Sequence, residues 1–302
     1  MTETFTPPRT PTATSTSAYA LFTEIQEIHT ALSLLPSLAP GEKINALLTK
    51  LVQLCIAPHS TSFISSFFDI PGISSLCERL RPICAAAEGE LERYWAGRMC
   101  LEAIALPAPN AEALLGLFPY YQNYIDLSAI ECSVLSAFLP TSTPPSPRKF
   151  AFIGSGPLPL TSLCMLDRFP NSTIHNIDRD EGALKLSQEL CEKLGYSGMS
   201  FGCEDVTHPS SATDWKAFDV IFLAALVGMD TGSKLSILSS LAARMRPGAL
   251  IVARSARGLR SVLYPVLELS AELEETGLEV LAEVHPWTKV VNSVVVMRVK
   301  ER

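Results

Sequence analysis

Two periodicities divide the chain. From Ala20 to about Ser136 apolar positions recur at three- and four-residue steps: Leu21, Ile25, Ile28 and Leu32, then Ile44, Leu47, Leu48 and Leu51, then a longer stretch over 73–104. Such spacing places one apolar stripe on each of several helices. Pro36, Pro40, Pro58, Pro71 and Pro107 punctuate them, as residues without an N–H should. Ahead of the helices, residues 1–17 are rich in Thr, Pro and Ser and predict an unstructured tail. Pro140-Thr-Ser-Thr-Pro-Pro-Ser-Pro147 carries nothing apolar beyond its proline rings, which predicts a semi-rigid connector and a domain boundary.

Past the connector the pattern changes to short apolar runs alternating with helical stretches. Strands are predicted over 150–153, 172–177, 199–202, 220–225, 249–254, 280–285 and 292–299, and helices over 158–167, 181–194, 232–245 and 261–276. That alternation predicts an α/β fold with a mostly parallel sheet covered on both faces. Seven strands closing in a hairpin predict the Rossmann-like sheet of class I S-adenosylmethionine-dependent methyltransferases, preceded by an all-α helical bundle. The expected organisation is a tail (1–17), a helical N-terminal cap (18–140) and a Rossmann-like S-adenosylmethionine-binding domain (141–302).

Composition narrows the class. The chain has 302 residues, 47% hydrophobic and 18% charged, with a net charge of −7. An apolar fraction this high supports a packed core and excludes a disordered chain. Net negative charge disfavours nucleic acid, whose binders need basic stripes. The longest apolar run, 221–229, is too short to span a bilayer. Eight scattered cysteines without a CxxC, and five separated histidines, suggest buried reduced thiols rather than a disulfide framework or a zinc cage. Without an apolar leader core, the expected compartment is the cytoplasm and the expected partners are small molecules.

The nucleotide signal begins at Phe150-Ala-Phe-Ile-Gly-Ser-Gly156, a buried strand running into a glycine turn. Gly154, Ser155, Gly156 and Pro157 then sit where open α/β sheets bind ligands, at a strand's carboxyl end. The third glycine of a dinucleotide cradle is missing, with Pro159 nearby instead, so a dinucleotide is disfavoured. Asp178 ends the second strand 24 residues after Gly154, near the usual spacing of ribose-binding acids. Asp180, beyond the strand, is expected to cap the next helix. Asp205, at the third strand's end, can reach an adenine amino group. Acids at successive strand ends point to adenosine.

Longer strings carry a resemblance. Ala87-Glu-Gly-Glu-Leu-Glu92, Phe118-Pro-Tyr-Tyr-Gln-Asn-Tyr124, 152–161, Phe222-Leu-Ala-Ala-Leu-Val-Gly-Met-Asp230, Arg254-Ser-Ala256 with Gly258, Tyr264-Pro265, and His285-Pro286 followed by Asn292-Ser-Val-Val295 resemble, in order, the nicotianamine synthase family. The resemblance implies a helical domain over a Rossmann-like one. It also implies transfer of 3-amino-3-carboxypropyl groups from S-adenosylmethionine, three of them condensing into nicotianamine with release of methylthioadenosine. S-adenosylmethionine is thus a substrate, and no metal is required. The product would chelate Fe, Ni, Cu or Zn.

Such a transfer needs an amine held in line with the γ-carbon–sulfur bond, a group to take its proton, and shelter from water. Glu88 and Glu92, one helical turn apart, share a face while Glu90 points elsewhere. Glu88 is the preferred proton acceptor because Gly89 beside it permits close approach, and Glu92 is the second candidate. The resemblance carries over Tyr120 and Tyr121 as cavity-lining groups that orient the amine, with Tyr120 among the catalytic residues, and Asn123 and Tyr124 as substrate contacts. Arg254 is expected to hold a substrate carboxylate with its planar fork, and Tyr264 and Asn292 to line the cavity. Ala224 and Leu226, in the uncharged 223–228 segment, would wall the methionyl chain. His285 is expected to be a structural strand-end residue.

The sequence departs from the family where Trp287, Thr288 and Lys289 replace residues usually acidic in plants, and where Arg257 stands in place of histidine. Those differences would bear on the first acceptor or the number of transfers if they touch the product. A conventional small-molecule methyltransferase and a silent S-adenosylmethionine-binding regulator remain the alternatives. Oligomeric state is not legible in the sequence.

Overall fold

A computed structural model describes residues 13–105, 110–140, 148–208 and 212–301. Most of the expected tail, Pro107 and residues 141–147 of the expected connector lie outside them. Six helices come first: α1 (Ala13–Ser33), α2 (Glu42–Ile56), α3 (Thr61–Phe68), α4 (Ile73–Ile104), α5 (Ala111–Leu115) and α6 (Tyr121–Phe138). The rest alternates: β1 (Lys149–Ile153), α7 (Leu160–Arg168), β2 (Thr173–Asp178), α8 (Glu181–Lys193), β3 (Met199–Cys203), β4 (Val220–Leu223), α9 (Thr231–Arg244), β5 (Leu250–Ser255), α10 (Ala271–Glu275), β6 (Leu278–Val284) and β7 (Ser293–Val299).

The strands form one sheet in the order β3-β2-β1-β4-β5-β7-β6. All pairs are parallel except those made by β7, which runs antiparallel to β5 and β6. This is the class I methyltransferase-type sheet expected from the strand count and terminal hairpin. Its reversal of order beside β1 places the strand-end crevice at the Gly154–Gly156 turn. Alternate residues bury on opposite faces: Ala151, Ile153, Ile221 and Leu223 pack with α9, while Phe150, Phe152, Val220 and Phe222 pack with α6 and α7.

Two expectations need correction. The helical pattern begins at Ala13, inside the expected 1–17 tail; with no proline between Ala13 and Ser33, the Thr/Ser run simply extends the helix backward by a turn. The expected helix over 261–276 is absent. Gly258–Val262 is a 3-10 turn, an irregular segment follows, and helix resumes only at α10. Pro265 cannot donate to residue 261 and crowds its carbonyl, and the Leu267 N–H goes instead to Ser255 Oγ at 2.8 Å.

α4 joins the two halves of the molecule. Its first turns, through Leu76, Leu80 and Ala87, belong to a core with α1, α2 and α3. Its last turns, through Ala96, Met99 and Cys100, pack among α5, α7 and α8. Pro82 lies inside the helix without ending it. Among the described residues no helix is long and apolar enough to cross a membrane.

Candidate active site

The chain turns sharply after β1. Gly154 and Gly156 take φ of +79° and +64°, conformations that glycine adopts without strain. The Gly154 and Ser155 N–H groups donate to the Ile177 carbonyl at 2.8 and 3.2 Å. Asp178 braces the turn: one carboxylate oxygen accepts from Gly156 N–H at 2.9 Å, the other from Asp180 N–H at 3.0 Å. A carboxylate has about four lone-pair positions, so two remain for a ligand. Asp180 caps α8 through Ala183 N–H at 2.9 Å, as expected, and pairs with Arg93 at 2.7 Å.

A cavity of about 680 Å³ opens beside this turn. Its strand-end wall holds Gly154, Ser155, Gly156, Pro157, Asp178, Asp205, Ala224 and Leu226, the whole expected nucleotide set. Asp205 Oδ1 accepts from Thr207 N–H at 3.0 Å and Thr207 Oγ1 at 2.6 Å, bonds that hold its carboxyl below the ordinary range. The helical wall brings Glu88, Glu92, Tyr120, Asn123 and Tyr124, and Arg254, Tyr264 and Asn292 complete the lining. Tyr121 does not line it; it packs in the cluster of α4, α5, α7 and α8, because the first turn of α6 can face the cavity with only some of its residues. Arg257, His285, Trp287, Thr288 and Lys289 also lie outside the lining. His285 Nδ1 instead meets Ser293 Oγ at 2.9 Å, a strand-end contact.

The two glutamates and two tyrosines form one cluster. Tyr124 Oη donates to Glu92 Oε1 at 2.7 Å and lies 3.5 Å from Glu88 Oε1. Tyr264 Oη donates to Glu88 Oε2 at 3.1 Å. Burial, then the charge of Glu88, push Glu92 up to about 8, against the pull of the Tyr124 bond and Arg254. Burial also raises Glu88, against its bond from Tyr264. Both phenols stand well above their ordinary range, first through burial and then through the adjacent carboxylates. Two carboxylates one turn apart, away from water, retain a proton near neutrality that exposed glutamates would have lost.

Glu92 reaches across to the glycine turn. A Cβ at Gly156 would lie 2.7 Å from Glu92 Oε2. A Cβ at Gly89 would meet nothing within 4 Å beyond its chain neighbours.

Arg254 is largely committed elsewhere. It is 7% exposed, and its Nε and Nη2 donate to Glu131 at 2.8 and 3.1 Å, with Nη2 also 2.6 Å from Thr161 Oγ1. Burial would lower its pKa, but Glu131 outweighs that and holds it up. What it still presents to the cavity is its charge and its remaining edge. Sequence reading missed Glu131, although one acid among Leu127, Ser128, Cys132 and Leu135 on the buried face of α6 was the signal. It also missed the far end of the cavity, where Leu48, Leu51 and Val52 of α2 meet Leu263 and Val291.

The lining holds seven carboxylates against three guanidinium groups, and Asp180 and Glu131 already pair two of those. This excess of negative charge suits a cationic ligand. Asn123 Nδ2 donates to the Lys289 carbonyl at 3.0 Å, which ties α6 to the β6–β7 connection. Among the described residues no group of three or more His, Cys, Asp or Glu is placed to hold a metal.

Over residues 14–302 the chain matches a family profile described as nicotianamine synthase protein. Nicotianamine synthase 3 of Oryza sativa subsp. indica is 38% identical over 285 residues, covering 92% of this chain and 78% of that protein. Nicotianamine synthase 2 of Arabidopsis thaliana is 36% identical over 278 residues, covering 91% and 82%. Among solved structures, MtNAS in complex with MTA and tNA matches with a TM-score of 0.75 and 21% identity, over 93% of this chain and 98% of that one, a likeness of fold.

Proposed function

The chain belongs to the nicotianamine synthase family, and from that membership and its acidic cavity we propose that it condenses three S-adenosylmethionine molecules into nicotianamine, releasing methylthioadenosine at each transfer. The adenosine lies along the Asp178 and Asp205 strand ends, with Asp178 accepting from the ribose hydroxyls. The sulfonium sits among the excess carboxylates, and the methionyl chain runs along Ala224 and Leu226. An acceptor amine attacks the γ-carbon in line with its bond to sulfur. The carbon–sulfur pair leaves on sulfur, which becomes a neutral thioether, and the ammonium proton passes to the Glu88–Glu92 pair. After two such transfers the nitrogen of the first acceptor S-adenosylmethionine, now a secondary amine, attacks its own γ-carbon; that carbon's bond to sulfur breaks, the azetidine ring closes, and the third methylthioadenosine leaves.

The observation that carries this reading is the reach of Glu92 Oε2 to the glycine turn. A raised carboxylate there can take a proton from an α-amine whose own pKa lies near 8. Tyr124 and Tyr264 fix the pair, Tyr120 and Asn123 flank it, and Arg254 and Asn292 present polarity to the substrate carboxylate. The product, with three carboxylates and three nitrogens, is a ligand for Fe, Ni, Cu or Zn, which assigns the enzyme to metal homeostasis. A cytoplasmic site of action agrees with eight free cysteines.

Mass spectrometry after incubation of the purified protein with S-adenosylmethionine alone tests the proposal. Methylthioadenosine and a tricarboxylate product are expected. S-adenosylhomocysteine without methylthioadenosine would make the protein a methyltransferase, and binding without either product would make it a regulator.

A further inference from the structure

Lys234, in the first turns of α9, is 0% exposed. The inward face of that helix otherwise carries Ile237, Leu238, Leu241 and Ala242. Burial alone pushes its pKa down to about 7, with no charged neighbour contributing. Its place near a helix N-terminus further disfavours a cation. A methionine would fill similar space without desolvating an amine, at the cost of leaving the Ala225 carbonyl, which Nζ meets at 2.9 Å, without that partner. Apolar packing therefore does not account for lysine here, and residues that break a local rule cluster at functional sites.

What the amine supplies is a bond to the cavity wall. Among the described residues its Nζ has one hydrogen-bond partner, the Ala225 carbonyl, at 2.9 Å. The same loop meets the backbone of Lys234 twice more. The Lys234 N–H donates to the Asp230 carbonyl at 3.0 Å. Gly228, at φ +74°, passes so close that a Cβ there would lie 2.8 Å from Lys234 Cα. The loop thus packs on the backbone of this helical turn and is tied to it by one side chain, while residues 224–230 line the cavity. Val227 presses its far side against Gly154, where a Cβ would lie 2.5 Å from Val227 Cγ2.

We infer that Lys234 is a positioning residue: by tethering the Ala225 carbonyl from beneath, it sets the 224–228 wall at the distance from the glycine turn that S-adenosylmethionine requires. The identity of that ligand rests on the function proposed above. The tether does not touch the ligand, and acts through the wall.

Calorimetry with S-adenosylmethionine and hydrogen exchange test it, on the wild type, Lys234→Met and Lys234→Leu. Absence of binding by the wild type would count against the proposed function and says nothing for the tether. Given wild-type binding, both variants are expected to stay folded, with urea midpoints at most modestly below the wild type, and to bind S-adenosylmethionine about tenfold more weakly. Amides over 225–229 should exchange faster, while those of 237–242 are unchanged. The rise in KM should exceed the fall in kcat. Binding within twofold of wild type in both variants overturns the inference. So does loss of the folded state in both, which would make the amine part of the core's stability.

Discussion

Changing Tyr124 to phenylalanine removes one oxygen from the centre of the acid pair and keeps the ring beside Phe118. The lost bond is the 2.7 Å donation to Glu92, which favours the ionised carboxylate. A hydrogen bond to a charged group contributes about 1.5–3 kcal/mol, and one pKa unit is about 1.4 kcal/mol, so Glu92 should rise by about one to two units. It already stands at about 8, which moves the variant to about 9–10. The group accepts a proton only when ionised, so activity is gained as pH rises through its pKa. At pH about 7.5 the ionised fraction falls from roughly a quarter to between about 3% and 0.3%, a loss of roughly 8- to 80-fold, while near pH 10 the two enzymes come within about twofold. Because the two glutamates interact, the shifted limb belongs to the pair. The assay is methylthioadenosine release across that range. A uniform loss at every pH, with the acid limb unmoved, would refute the reasoning and make the Tyr124 hydroxyl a direct substrate contact.

Three further outcomes follow from the same contacts. Gly156→Ala forces a side chain into φ +64°, at about 1–2 kcal/mol, and pushes Glu92 off the turn; turnover should fall at least about tenfold, and wild-type turnover would show that Glu92 works elsewhere. Asp178→Ala should weaken S-adenosylmethionine binding by about 1–3 kcal/mol, read by calorimetry, with unchanged affinity removing Asp178 from the ribose site. Arg254→Met or Glu131→Leu alone should destabilise by about 3–5 kcal/mol, because each strands a buried charge, whereas the double change should cost much less than their sum; additive losses in urea unfolding would show that the pair is not energetically coupled.

Much of the fold was readable because burial leaves a periodic trace. The inner strands β1, β4, β5 and β7 bury nearly all their residues, and their runs of Val, Ile, Phe and Ala stand out at nearly the right bounds. The misread segment, 261–276, has helical apolar spacing that Pro265 and the Ser255 hydroxyl override. The site was legible in residue identity and less so in direction. Helical phase places Glu88 and Glu92 on one face, but it could not show that α6 points Tyr124 at both while turning Tyr121 away. Nor could a strand-end arginine announce that its fork was occupied by an acid 123 positions earlier in the chain.

These failures of direction share an origin, because the site is assembled across an interface. The sheet supplies the glycine turn and Asp178; a helix anchored in a different core supplies the acids. α4 crosses between them, held by α1–α3 at one end and by α5, α7 and α8 at the other, with Glu88 and Glu92 at the crossing. The missing Cβ of Gly156 is filled by the end of Glu92, so each half completes the other's geometry. Groups on rigid helices hold position better than groups on loops. A shift of α4 by even a fraction of a turn would carry the acid pair off the glycine turn while leaving both cores packed. Substitutions along α4 far from the cavity should therefore act first on turnover and only later on stability.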